Sequence, residues 1–230
     1  RLLAGERTIA DAYPAVTVLF ADIVGFTALS ARLPADEVVG ILGRLFERFD
    51  ELVAARGLEK IKTIGDAYMA AGGLPEPMED HAARVVDLGL AMIDAARQEG
   101  DGIADLRLRV GVHSGPVIGG VIGHRKFAFD IWGETVNIAS RLESHGVPGR
   151  VHVSASTRRN VADLFDVEPR GPMRLRGYGP METYTIAKRR TTETEDPRRS
   201  VEAPPTTTPA YRPGRVRRAA ITPLATSGGA

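Results

Sequence analysis

Leu58-Glu-Lys-Ile-Lys-Thr-Ile-Gly-Asp-Ala-Tyr-Met-Ala-Ala71 contains two short β-rich runs, Leu58 to Ile64 and Ala67 to Ala71, joined at Gly65-Asp66. A Gly-Asp pair between such runs suits a tight hairpin. On the N-terminal side, Val38, Leu42, Leu45, Phe49 and Leu52 recur at helical spacing, the pattern of a helix with one face on a core. Pro34 opens that helix, and Asp36 and Glu37 fill its first turn, where acids favour the positive helix end. Gly57 ends it. On the C-terminal side, Asp80 is a candidate N-cap, and Val85, Leu88, Met92 and Ile93 mark the buried side of a second helix. Further out, Val16 to Ala21 reads as a buried strand ending at Asp22, and Leu106 to His113 alternates as a half-buried strand. The order strand, helix, strand, strand, helix, strand is the ferredoxin-like order.

Beyond it, Ser114-Gly115-Pro116 predicts a turn, after which Val117 to Ile122 returns antiparallel. A short helix is expected from Glu134 to Glu143, then a small αβ element and a last strand pair ending near Ile186. The expected fold is α+β, a ferredoxin-like βαββαβ core with an added C-terminal αβ subdomain. Residues 1–15 read as a linker from a possible upstream module, and residues 16–187 as the folded domain. Residues 188–230 are rich in Thr, Pro and Arg and read as a disordered tail.

The chain has 230 residues and no cysteine, so it holds neither a disulfide nor a thiolate metal site. This fits a reducing, cytoplasmic setting. No apolar run approaches the roughly 20 residues of a membrane span. The chain opens Arg1-Leu2-Leu3 without Met, which suggests a piece of a longer protein. From Lys188 onward nine basic residues face four acidic ones, whereas residues 1–187 carry a net −4. The body therefore has no basic patch for nucleic acid, and no nucleic-acid partner is expected.

Two acids stand at predicted strand ends. Asp22 terminates the first strand and Asp66 lies in the hairpin. In the ferredoxin-like order the first and third strands are neighbours, so the two carboxylates can meet. Paired carboxylates suit Mg²⁺, which takes few protein ligands plus substrate phosphates. The plain alternative makes Asp22 a cap and Asp66 a turn residue. The loop Ile23-Val-Gly-Phe-Thr27 can offer backbone N–H groups to an anion and the Ile23 carbonyl to a metal. Phe26 and Thr27 are its candidate substrate-binding positions. Asn137 and Arg141 are four apart on the short helix and share one face, where they can stabilise charge on a phosphorane-like transition state. Their alternative is a solvated face with Arg141 paired to Glu134 or Glu143. Lys62 can donate to adenine N1 and Asp130 can accept from its 6-amino group, or the two can form a structural ion pair. The five histidines show no metal-ligand spacing.

Three blocks, Val18 to Thr27, Glu59 to Met69 and Phe129 to Glu143, together resemble the signature blocks of class III nucleotidyl cyclases. The resemblance covers roughly Val16 to Ile186. It implies that Asp22 and Asp66, with the Ile23 carbonyl, hold two Mg²⁺ or Mn²⁺ ions per site. It implies that Lys62 and Asp130 select adenine, that Asn137 and Arg141 act on the transition state, and that Arg176 contacts the triphosphate. It also implies a head-to-tail homodimer with two shared sites, and an upstream HAMP-like or membrane module in a longer parent. The expected activity is conversion of ATP to 3′,5′-cyclic AMP and pyrophosphate. The competing readings are a guanylyl cyclase, an intermolecular nucleotidyl transferase and a non-catalytic nucleotide-sensing dimerisation module.

Overall fold

In the computed structural model, residues 9–100, 106–122, 127–175 and 177–190 are described. The elements are β1 (Ile9–Ile23), α1 (Phe26–Ser30), α2 (Ala35–Ala54), β2 (Glu59–Ile64), β3 (Ala67–Gly72), α3 (His81–Gly100), β4 (Leu108–Ile122), β5 (Ala128–Trp132), α4 (Glu134–Ser144), β6 (Val151–Ser154), α5 (Ala155–Val161), β7 (Phe165–Leu175) and β8 (Gly179–Arg189). The sheet runs β2-β3-β1-β4-β6-β8-β7, with β5 also paired to β4. Its first four strands have the ferredoxin-like order, and β6 to β8 with α5 are the added C-terminal piece.

Strand alternation sends side chains to two faces. Leu19, Ala21 and Ile23 of β1, Tyr68 and Ala70 of β3, and Leu108, Val110 and Val112 of β4 join the main core under α2 and α3. In α2 the fully buried residues are Ile41, Leu45, Phe49 and Val53, one residue every turn. Burying each is worth about 1.5–3 kcal/mol. Val16, Val18 and Phe20, with Met69, Ala71 and Val117, line the opposite face, where Ala139 of α4 packs.

Three expectations differ from the structure. β8 runs through Lys188 to Arg189, into the stretch read as a disordered tail. β1 opens at Ile9, inside the stretch read as a linker, because Ile9 to Tyr13 pair with Val121 to Val117. Ser114-Gly115-Pro116 is no turn. β4 runs straight through it, and the antiparallel return is β5. Tertiary contacts override the local turn signal. The Ser114 hydroxyl is buried in a polar seam, 2.8 Å from the Thr17 hydroxyl and 3.0 Å from that of Thr157. Thr17 in turn lies 2.7 Å from His81 Nδ1 on α3. The Pro116 carbonyl accepts from the Thr135 hydroxyl at 2.6 Å. A bulge in β1 between Tyr13 and Val16 lies opposite.

Helix α4 rests on β4 at Gly111. A Cβ there would stand 2.1 Å from the Glu143 nitrogen and 2.5 Å from the Ala139 carbonyl oxygen. Both obstacles are backbone, so neither can rotate aside. Gly111→Ala is therefore expected to cost about 3 kcal/mol, the upper end of overpacking effects. Urea denaturation measures this, and a loss under about 1 kcal/mol would mean that α4 is not seated by backbone contact.

Candidate active site

Asp22 and Asp66 come together as the topology requires. β1 pairs antiparallel with β3, with Ala21 opposite Tyr68, so the end of β1 meets the turn before β3. The two side chains are within hydrogen-bonding reach. Burial, and next the charge of Asp22, push the Asp66 carboxyl above its ordinary value. Backbone N–H groups of Asp66 and Ile23 oppose that rise. The Ile23 side chain is in the main core, which leaves its carbonyl as the only metal donor it has. Gly25 has φ of 73° and starts α1, a left-handed conformation that glycine adopts without strain. Phe26 is half-buried and packs against the main core. Thr27 is exposed.

Lys62 and Asp130 also meet. Lys62 Nζ donates to Asp130 Oδ2 at 2.5 Å, and the Ile131 N–H donates to Asp130 Oδ1 at 2.9 Å. The carboxylate is thus oriented by its own backbone. Asn137 is exposed on α4, one turn before the half-buried Arg141. Arg141 stacks over the Tyr178 ring at 5.8 Å, and Glu143, one of the two acids that the alternative reading paired with it, pairs elsewhere. Arg176 lies outside the described residues, as does the tail from 191 onward.

The sequence reading missed Arg109. It stands directly opposite Asp22 in the β1–β4 ladder, and its Nη2 donates to Asp22 Oδ2 at 2.7 Å. Alternation along Leu106 to His113 already put Arg109 on the face away from the main core. The register that places it beside Asp22 has no sequence signal. Behind it, Arg109 Nε lies 3.2 Å from Glu143 Oε1. Burial, and next the Asp22 charge, push the Glu143 carboxyl up to about 7, against the pull of Arg109.

This donor set fits a hard divalent cation. Two carboxylates converge, with no nitrogen or sulfur donor between them. Among the described residues no group of three His, Cys, Asp or Glu forms a cage. An ion held there needs further oxygen ligands from a substrate, the habit of Mg²⁺ in nucleotide sites. Arg109 places a positive charge on Asp22 at 2.7 Å.

The chain is similar in sequence and fold to known proteins. The adenylate cyclase of Mycobacterium tuberculosis (strain ATCC 25618 / H37Rv) is 42% identical over 192 residues, covering 83% of this chain and 43% of that protein. The guanylate cyclase soluble subunit beta-2 of Rattus norvegicus is 37% identical over 189 residues, covering 81% of this chain and 28% of that protein. The chain thus spans under half the length of either relative. Among solved structures, the guanylate cyclase domain of RhGC from Catenaria anguillulae in complex with GTP superposes with a TM-score of 0.75 at 36% identity, covering 78% of this chain and 100% of that one. The adenylyl cyclase CyaB from P. aeruginosa gives 0.74 at 27% identity, covering 79% and 97%. The family model described as the adenylate and guanylate cyclase catalytic domain matches residues 9–188. Matched over more than three quarters of its length, the chain belongs to the adenylate and guanylate cyclase catalytic domain family.

Proposed function

We propose that the chain is an adenylyl cyclase that converts ATP to 3′,5′-cyclic AMP and pyrophosphate in sites shared by two copies. The observation that carries the choice of ATP is the Lys62–Asp130 pair. The Lys62 ammonium has three N–H donors and commits one to Asp130, so another can reach adenine N1. A carboxylate is an acceptor, so Asp130 suits the adenine 6-amino group. Guanine offers N–H at N1 and a carbonyl at C6, and both would face the wrong partner.

The reaction forms a bond from the ribose 3′-oxygen to the α-phosphorus, breaks the bond to pyrophosphate and releases one proton. Metal ions supply Lewis-acid stabilisation and lower the pKa of the 3′-hydroxyl. Asp22, Asp66 and the Ile23 carbonyl hold them. Asn137 orients the ribose, and Arg141 stabilises negative charge on the α-phosphate. The Thr27 loop and Arg176 serve the phosphates.

A second copy is the partner that fits the apolar rim of the β4–β5 hairpin. Ile118, Ile122, Phe127 and Trp132 are exposed there, beside an apolar cavity of about 430 Å³ lined by Tyr13, Pro14, Val117 and Trp132. A head-to-tail pair would bring Asp22 and Asp66 of each chain to α4 and the Lys62–Asp130 pair of the other, giving two equivalent sites. No helix among the described residues is long and apolar enough to cross a membrane. A longer parent carrying an upstream regulatory module accords with the short share of its relatives that the chain spans, and this domain would lie in the cytoplasm.

The test is turnover of ATP and GTP by the purified chain, with Mg²⁺ and Mn²⁺ compared. Cyclic AMP is expected to exceed cyclic GMP at least tenfold, about 1.4 kcal/mol for the mispaired base edge. Equal or greater cyclic GMP would favour a guanylyl cyclase. No cyclic product with either metal would favour a non-catalytic module.

A further inference from the structure

Glu143 is only 7% exposed, yet its Oε1 has no hydrogen-bond donor, and neither does the buried Arg109 Nε an acceptor. The two atoms lie 3.2 Å apart in an ion pair without hydrogen-bond alignment. The other carboxylate oxygen has a weak donor, the Ser144 hydroxyl at 3.2 Å. Meanwhile Arg109 commits its Nη2 to Asp22 at 2.7 Å. One guanidinium is thus shared by two carboxylates and is well bonded to only one of them.

Keeping a buried carboxylate charged with one oxygen unfilled is costly, so a state in which that oxygen gains a donor is favoured. Glu143 cannot find that state by moving away. Its backbone is pressed onto β4 at Gly111, two residues from Arg109. A divalent cation on Asp22 and Asp66 would supply the state. It would take the Asp22 oxygen that Arg109 now holds and would repel the guanidinium. The nearest remaining acceptor is Glu143 Oε1, already beside Nε.

We infer that Glu143 is a positioning residue that takes over Arg109 when a divalent cation occupies Asp22. This rests on the metal-binding reading of Asp22 and Asp66. By receiving the displaced guanidinium, Glu143 lowers the cost of metal entry and keeps the positive charge at the rim of the site. Charge-assisted Arg–carboxylate bonds are strong and directional enough for that role.

Mn²⁺ binding, read by the electron paramagnetic resonance signal of the free ion, tests this on the full chain without turnover. Glu143→Gln keeps the side-chain shape, and circular dichroism confirms its fold. It is expected to weaken Mn²⁺ binding about tenfold, as loss of an outer partner of a metal ligand does. Arg109→Ala should bind Mn²⁺ at least as tightly as wild type, since Asp22 then has no competitor. Adding Glu143→Gln to Arg109→Ala should change affinity less than about twofold, because no guanidinium remains to be received. Wild-type affinity in Glu143→Gln, or an equal loss with and without Arg109, overturns the inference alone. A wild-type chain that binds no Mn²⁺, or an Asp66→Asn variant that binds as well as wild type, overturns the metal reading and the inference with it.

Discussion

Asp22→Ala and Asp66→Ala are each expected to lower cyclic nucleotide formation at least about a thousandfold while the protein still folds. The two carboxylates sit together at the ends of β1 and β3, and removing one takes away several kcal/mol of transition-state stabilisation, each 1.36 kcal/mol being tenfold in rate. The fold should survive, for different reasons at the two positions. Asp66 is raised by burial and by the charge of Asp22, so its removal relieves an unfavourable contact. Asp22→Ala leaves Arg109 its ion pair with Glu143, so the guanidinium keeps a countercharge. Melting temperature and turnover at saturating Mn²⁺ separate the two effects. Turnover within tenfold of wild type in either well-folded variant would sink the two-metal reading.

Mixing is expected to restore what each lesion destroys. In a shared-site homodimer, Asp22→Ala and Asn137→Ala each disable both sites. In a mixed dimer the two lesions fall into one site and leave the other intact. Random pairing makes about half of the dimers mixed, so activity should return to roughly a quarter of wild type. The return should require subunit exchange and depend on concentration. Assays of each variant alone and of the mixture, with exchange followed by native mass spectrometry, decide the matter. Confirmed exchange without recovery would show that each chain works alone.

The parts legible in the sequence are those set by local pattern. The α2 and α3 helices follow from periodic apolar residues, and the β2–β3 hairpin from its Gly65-Asp66 turn. The meeting of Asp22 with Asp66 was legible too, through strand order, whereas that of Lys62 with Asp130 stood only as an alternative to contacts with adenine. What was not legible depends on contacts between distant segments. Ser114-Gly115-Pro116 has turn-forming residues, yet hydroxyls of Thr17 and Thr157 hold Ser114 inside an unbroken strand. Arg109 gains its place from the register of β1 on β4, and one residue of slip would send it to the main core. Glu143 read as a neighbour for Arg141 along the helix surface. The close seat of α4 turns it inward to the strand instead.

That seat also acts as a gauge. The gap between α4 and β4 is fixed where Gly111 has only a hydrogen, and it sets the height of Asn137 and Arg141 above the sheet. A chain with any larger residue at this position would need to lift the helix by an ångström or more, and both side chains would rise with it. Tolerances of that size matter where reacting atoms must align within a fraction of an ångström. This one contact acts as a hard stop for the helix that carries Asn137 and Arg141.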